Sequence, residues 1–558
     1  MRGAGNPLVR PLAKSRYHFS TGASVVRASR QEQIMKMSRR RLLGCLPAVA
    51  LLAASPLAQA GATVDVRDFG AVGDGVTDDS AAIRNAAAAL RSGKTLWFPK
   101  GSYRFAEQYP QSGAAVAING LSDFAVDFEP GAELLMDNID PEQGVGTSHA
   151  ILITGASSRI MLRNITIRWA KQKSRSHGDG IRILGFPGDA GSKPPDWTGS
   201  KGTVHGVRIV NCSIESSPQA GVIFIGASDI NVSKLVVKNT QGDGLHFHAC
   251  RKGVIDNYTA INTGDDGLAL VSYYTDGFSY DPTSDNFAFS NLGNWSIADF
   301  DITNVTVRGG HANGVRLAGA NGVSITGLNI SGVHTGAGVI CDSSAPGVDT
   351  GWHYVAARGI ELKQVDIENC DTGLQLLARP NTATDSRFTD FDVHVSDAVI
   401  RDCDNWSVRM ESLTDQRTTG LRLDSATVVA QSDRDGKGGV SLENTHNVSI
   451  GNLSIQHTLP VVMFYANNSS SLELGTIHMT VTDSAQPRDA STPGLNIQNS
   501  TYTIGAIDVD RPGSPPDWTP IRLAKETATC NIGAAGSPAT LGTVAVRPAS
   551  IQRWITSC

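Results

Sequence analysis

Beyond about residue 60 the chain is built from runs of three to six β-forming residues, broken every seven to eight positions by Gly, Asn or Asp. No long amphipathic helix interrupts them, so the pattern is that of many short strands. The runs also recur at a larger interval. Asn239-Thr240-Gln241-Gly242-Asp243-Gly244-Leu245 returns 23 residues later as Asn262-Thr263-Gly264-Asp265-Asp266-Gly267-Leu268, with five of seven positions identical. Gly221, Gly244, Gly267, Gly314 and Gly338, each followed by Val or Leu, continue the series at spacings of 23, 23, 47 and 24; the 47 is two periods, or one period carrying a loop. About three strands per repeat predict an all-β chain wound as a single-stranded parallel β-helix. Each turn then pairs with the next at about 4.8 Å, and stacking buries a core that no single turn could bury alone. The asparagines of Asn164-Ile165-Thr166, Asn211-Cys212-Ser213, Asn304-Val305-Thr306, Asn329-Ile330-Ser331, Asn447-Val448-Ser449 and Asn452-Leu453-Ser454 are expected to turn inward and stack as hydrogen-bonded ladders at the corners.

An open coil end exposes a sheet edge. Thr77-Asp78-Asp79-Ser80, followed by Ala81-Ala82-Ile83 and an alanine-rich run to Leu90, predicts an N-capped helix over that end. Residues 61–525 then form one long catalytic domain, and 526–558 a C-terminal tail. Cys530 and Cys558 are the one pair expected to bridge, pinning that tail. Cys212, Cys250, Cys341, Cys370 and Cys403 read as buried packing residues.

The first sixty residues follow a different logic. Ser38-Arg39-Arg40-Arg41-Leu42-Leu43, an apolar run from Leu46 to Leu57 and Ala58-Gln59-Ala60 read as a twin-arginine-like export signal cleaved before Gly61. Residues 1–36 lie ahead of it, with Met35 or Met37 the expected start. A secreted or periplasmic protein follows, with no membrane-spanning segment after cleavage. This leader holds ten Lys or Arg and one Glu, so the chain's net charge of −5 becomes −14 for the remainder. An acidic body repels phosphate backbones, which argues against nucleic acid as a partner. With 18% charged residues and 58 glycines, the chain is neither a charged coiled coil nor a disordered polyelectrolyte.

Stacked repeats superpose equivalent positions, so Asp243 and Asp266 fall in neighbouring turns, with Asp265 beside Asp266. Like charges about 5 Å apart raise one another's pKa and stabilise no fold. Asp before Gly is also an ordinary turn pair, and that simpler description suits Asp179, which shares the column without a paired neighbour. The triad suits acid and base catalysis on a glycosidic bond: one carboxylic acid protonates the leaving oxygen while another carboxylate activates water. His246 and His248 follow on the same strand and are expected to point one inward and one outward, so that only one reaches the cleft. Tyr273, Tyr274 and Phe278 lie in the stretch Ser272 to Asn294 that lengthens the repeat, where a loop can form a binding wall and its aromatics stack on sugar rings.

The opening segment Val66-Arg67-Asp68-Phe69-Gly70-Ala71-Val72-Gly73-Asp74-Gly75, with the helix after it, resembles that of the pectate-lyase-like superfamily of right-handed β-helices. Asp243 followed by Gly264-Asp265-Asp266 resembles the polygalacturonase family of glycoside hydrolases, family 28, and its relatives the dextranases and α-1,3-glucanases. The resemblance implies an inverting hydrolase acting on a polysaccharide or oligosaccharide as a monomer, with no cofactor and no metal. Asp265 would be the general acid, and Asp243 with Asp266 would hold and deprotonate the water. His311 and Arg316, with Tyr273 and Tyr274, would bind substrate. The match is incomplete. Gln241 and Gly242 separate Asn239-Thr240 from Asp243, His311 is followed by Ala312 where the family has Gly, and Arg316-Leu317-Ala318 lacks the family's lysine. A missing cation forfeits a charge-assisted hydrogen bond, so a neutral or modified glycan is as much expected as galacturonate. Two other readings stay open: a lyase or uronate epimerase whose aspartates bind calcium beside a basic residue, and a non-catalytic glycan-binding solenoid.

Overall fold

A strand with apolar residues on alternate positions needs a partner surface, and in this protein the next turn of chain provides it. The computed structural model describes residues 62–171, 174–186, 204–281, 286–347, 351–379, 385–431, 437–459, 461–482, 493–510, 521–524 and 539–547, within the compact unit Ala58–Cys558. Each coil of the central region carries one short and one long strand, such as Leu245–His248 and Arg251–Ile261. Short strands pair in parallel from Val222–Ile225 through Leu245–His248 and Leu268–Val271 to Val315–Ala318. They build a 14-stranded sheet, and the long strands contribute to a 20-stranded one. The winding is that of a right-handed parallel β-helix, the hand that twisted strands favour in parallel crossovers.

The long strand accounts for two of the three strands expected per repeat. Ala227–Lys238 bends at Asp229 and Lys234, both at φ 54°, and these residues drop out of the pairing register. Asn164, Asn211, Asn304 and Asn447 do similar work, while Asn329 and Asn452 pair in register within their strands; none of the six is buried, which corrects the inward-facing ladder expected from sequence. Asn164, Asn211 and Asn304 sit at φ 57°, a left-handed conformation that asparagine tolerates better than most L-residues. They lie half-buried or exposed on the outside of the bend. A ladder step does form there, with Asn211 Nδ2 donating to Asn164 Oδ1 at 2.8 Å.

The glycine column has a steric cause. A Cβ on Gly221, Gly244, Gly267 or Gly314 would lie 2.7, 2.5, 2.7 and 2.5 Å from the carbonyl oxygen of the glycine in the next coil. Backbone oxygens held in a ladder cannot retreat. Gly267→Ala is therefore expected to destabilise the coil by about 1–3 kcal/mol, seen as a lower denaturant midpoint; an unchanged midpoint would contradict this packing. Inside the glycines, Val222, Leu245, Leu268 and Val315 are fully buried in one column, each contributing about 1.5–3 kcal/mol of apolar burial.

The spacing of 47 is one period carrying a loop: Arg251–Ile261 pairs directly with Ala298–Arg308. The inserted residues make their own small sheet from Tyr273–Tyr274, Ser279–Asp281 and Asn286–Phe289. The expected N-terminal helix spans Ser80–Ala89 and buries Ala82, Ile83, Ala86 and Ala87 in the main core. Its N-cap residue Asp79 spends its carboxylate on the Val72 and Gly73 amides, at 2.7 and 3.2 Å, instead of on the helix. Cys212, Cys250, Cys341, Cys370 and Cys403 are free and buried, and burial pushes the Cys212 and Cys250 thiols up to about 12. The export signal and the Cys530–Cys558 pair lie outside the described residues. Among the described residues no helix is long and apolar enough to cross a membrane.

Candidate active site

At the turn before each short strand, one position faces the next coil's backbone. By the strand register the successive occupants are Asp179, Ala220, Asp243, Asp266 and Asn313, and the four acidic or amide members bond onward. Each accepts from the amide one coil on: Asp179 from Ala220 at 3.0 Å, Asp243 from Asp266 at 3.1 Å, Asp266 from Asn313 at 3.1 Å, and Asn313 from Ala337 at 3.0 Å. These contacts satisfy amides that would otherwise be buried without a partner. The column is thus structural first, and chemistry is laid over it where a second carboxylate joins. Asp179 gains no such neighbour. Its fully buried carboxylate meets His149 Nδ1 at 3.2 Å and Arg182 at 3.0 Å; burial raises its pKa, but those partners more than offset this and hold it well below the usual carboxylate range.

Asp243, Asp265 and Asp266 converge, with one carboxylate oxygen from each lying within 4.8 Å of the others. Their environments differ. Asp266 has a side chain 4% exposed, and burial, with the charges of Asp243 and Asp265, pushes it up to about 7 despite Arg316. Asp243 is also buried, yet His246 Nδ1 at 2.8 Å from its Oδ2, together with Arg175, outweighs burial and holds it low. Asp265 is the most accessible, with a side chain 28% exposed, and is ion-paired with Arg175. Protonation of Asp266 has a stability signature. The folded chain keeps this proton up to about pH 7, whereas the unfolded carboxyl loses it near 3.8. The contribution to stability is therefore present below 3.8 and is lost as pH rises to about 7. Asp266→Asn should melt higher than wild type at pH 8, by on the order of 2–4 kcal/mol, with the gap closing toward pH 5. Equal melting at both pH values would refute the buried proton.

The other residues singled out from sequence are placed unequally. Arg316 lies on the coil after Asp266, with Nη1 4.0 Å from Asp266 Oδ2. Its fork is engaged elsewhere: Nε and Nη2 donate to the two oxygens of fully buried Asp342 at 2.9 and 2.7 Å, Arg379 donates to the same carboxylate, and the guanidinium packs over the Tyr354 ring. His311 is exposed on that coil, its amide donating to Thr263 O at 2.9 Å. Tyr273 stacks on Trp352 at 4.8 Å and touches the His248 and Tyr354 rings; burial, Tyr354 and the charges of Asp243 and Asp265 push its phenol up.

Two expectations are corrected. Tyr274 does not join the site: it is buried in a separate cluster with Ala345, Val355 and Phe388, and its hydroxyl donates to Asp276 Oδ1 at 2.6 Å. His246 and His248 do not point to opposite faces, since residues two apart on a strand share one, and it is Leu245 and Phe247 that enter the core. His246 turns to Asp243, while His248 is covered by the inserted sheet and bonds Val271 O and Phe287 O. Sequence reasoning missed Arg175 and Asp342 as site residues. Arg175 lies 90 residues from Asp265, and no local motif marks it.

A long right-handed coil with an acidic column on its short-strand sheet defines a β-helix protein of the pectate-lyase-like class. The Rhamnogalacturonase A/epimerase, pectate lyase-like family matches residues 63–397, more than half the sequence, and the chain belongs to that family. No curated protein matches it in sequence. Similar solved structures include the Family 28 exopolygalacturonase of Yersinia enterocolitica, at 14% identity over 88% of this chain and 79% of that one with a TM-score of 0.37. The catalytic unit of the GH87 alpha-1,3-glucanase of Streptomyces thermodiastaticus shows 16% identity over 88% and 69%, at 0.40. The mannuronan C-5 epimerase AlgE6 A-module of Azotobacter vinelandii shows 13% over 87% and 100%, at 0.38.

Proposed function

We propose that this protein is an exported glycoside hydrolase that cleaves a polysaccharide by acid and base catalysis at Asp243, Asp265 and Asp266. The observation that carries this is the convergence of three carboxylates in unlike environments, since pairs of titratable groups driven apart in pKa are how one site holds both an acid and a base at neutral pH. Asp265, the most exposed, protonates the leaving oxygen. Asp243, held ionised by His246, takes a proton from water. Asp266 holds that water; the proton Asp243 takes then passes to Asp266, which stores it and hands it to Asp265 for the next leaving oxygen, through groups already within 4.8 Å. One water is consumed, and no carboxyl ends the cycle changed. Tyr273 with Trp352, and His311 on the following coil, supply surfaces for the sugars.

Inversion follows from the resemblance to family 28. The nearest oxygens here, within 4.8 Å, are closer than the ~6.5–9.5 Å between carboxyl groups usual for inverting pairs, so inversion rests on that resemblance alone, and it requires the water held by Asp243 and Asp266 to attack the sugar face opposite the leaving oxygen. The test is to incubate the protein from Gly61 onward with pectate, dextran, α-1,3-glucan and related glycans and to size the products. New reducing ends on at least one glycan are expected; none on any would reject the proposal.

A second reading, a lyase or uronate epimerase, is favoured by one feature: the three carboxylate oxygens form a donor set a divalent cation could share, with Arg175 beside it as a basic group. Loss of activity in chelator, with unsaturated or epimerised product, would select it.

A further inference from the structure

Among the described residues two guanidinium groups reach the carboxylate triad, and they differ in what a ligand can ask of them. Arg316 has a side chain 20% exposed and is spent on Asp342. Arg175 has a side chain 50% exposed. It descends from the turn before Asp179 and crosses the groove, donating from Nε to Gln219 Oε1 at 2.8 Å and from Nη1 to Asp265 Oδ2. By register Gln219, Gly242 and Asp265 are stacked in three consecutive coils. The Gln219 amide fills space that glycine leaves in the middle coil, since a Cβ on Gly242 would come within 2.6 Å of Gln219 Oε1. Gln219 therefore lies over bare backbone and steers Arg175 onto Asp265. Gly242 is one of the two residues that set this chain apart from the family's Asn-Thr-Asp spacing.

A guanidinium beside a carboxyl group favours its ionised form, and an ionised carboxyl has no proton to give to a leaving oxygen. We infer that Arg175 is a substrate-released latch: a carboxylate on the bound sugar chain draws the Arg175 guanidinium off Asp265, freeing Asp265 to act. Arg175 is then a positioning and specificity residue, and it supplies the cation that Ala318 cannot. One ion pair replaces another in the exchange, and the freed Asp265 takes the proton stored on Asp266, within 4.8 Å, before it gives one to the leaving oxygen. The role of the freed Asp265 rests on the hydrolase proposal, whereas the affinity for a carboxylate does not.

Retardation in native gels containing polygalacturonate, or the same polymer after carboxyl reduction, tests the inference without turnover. Wild type should be retarded by the carboxylate polymer and not by the reduced one, and Arg175→Gln should bind the carboxylate polymer at least 10-fold more weakly. Asp265→Asn should bind it at least 3-fold more tightly, because the latch is open, and this gain should vanish in the Arg175→Gln background. Equal retardation of wild type and Arg175→Gln, no retardation of wild type, or a gain that persists without Arg175 would each overturn the latch. Arg175 is half-exposed, so its removal leaves the coil intact, which an unchanged melting temperature would verify. Where the enzyme releases reducing ends, Arg175→Gln should also lower the ratio of acidic to reduced polymer cleavage at least 10-fold; an unchanged ratio counts against the latch. Failure to release reducing ends from any glycan would strike the hydrolase proposal alone.

Discussion

Asp265→Asn should remove roughly 10²- to 10⁴-fold of reducing-sugar release, the usual share of general acid–base catalysis, while leaving the melting temperature close to that of wild type. The side chain is partly exposed and pairs with half-exposed Arg175, so an amide there breaks nothing in the core. The loss should fall on kcat more than on KM, since the proton is needed only as the glycosidic bond breaks. It should also shrink with substrates whose leaving groups depart without protonation. Activity undiminished on an ordinary glycan would exclude Asp265 as the acid. Asp243→Asn is a different case, because its carboxylate also caps the Asp266 amide; that cap survives in the amide, whose oxygen still accepts.

Arg316→Ala carries the largest expected cost in stability, about 3 kcal/mol, the lower end for breaking a buried pair. Asp342 is fully buried and ionised by its two arginines; burial raises its pKa, and Arg316 more than offsets that. With Arg379 alone, one carboxylate oxygen loses its donor. Asp342→Asn in the same chain should recover part of the loss in denaturant midpoint, because an unpaired amide costs less than an unpaired charge. A variant as stable as wild type but without activity would show instead that Arg316 serves the substrate. The deletion also strips Asp266 of its neighbouring cation, so Asp266 should hold its proton to still higher pH.

The period of 23, the glycine column and the run of Asp243, Asp265 and Asp266 were legible in the sequence because a coil writes spatial neighbours at a constant offset. That is also why Asp179 could be recognised as a structural member of the column. What escaped were contacts that leave the offset. Arg175 reaches the triad from three coils away along a turn, while Asp342, on strand Ala337–Ser343, and Arg379, just after strand Thr372–Ala378, lie beyond the insertion. Tyr274 was misplaced because a strand end alternates its side chains: Tyr273 faces the His248 and Trp352 rings, and its neighbour faces Phe388. The asparagines were given the wrong side, because Asn164, Asn211, Asn304 and Asn447 serve backbone conformation at positive φ and not burial of an amide.

Nuclear magnetic resonance of the first product formed from whichever glycan the protein cleaves probes the triad most directly. Acid and base hydrolysis by Asp243, Asp265 and Asp266 requires a saturated product, shortened by one bond, whose new reducing end has the anomeric configuration opposite to that of the bond cleaved. An unsaturated end, or an epimerised chain of unchanged length, would mean that the three carboxylates serve other chemistry.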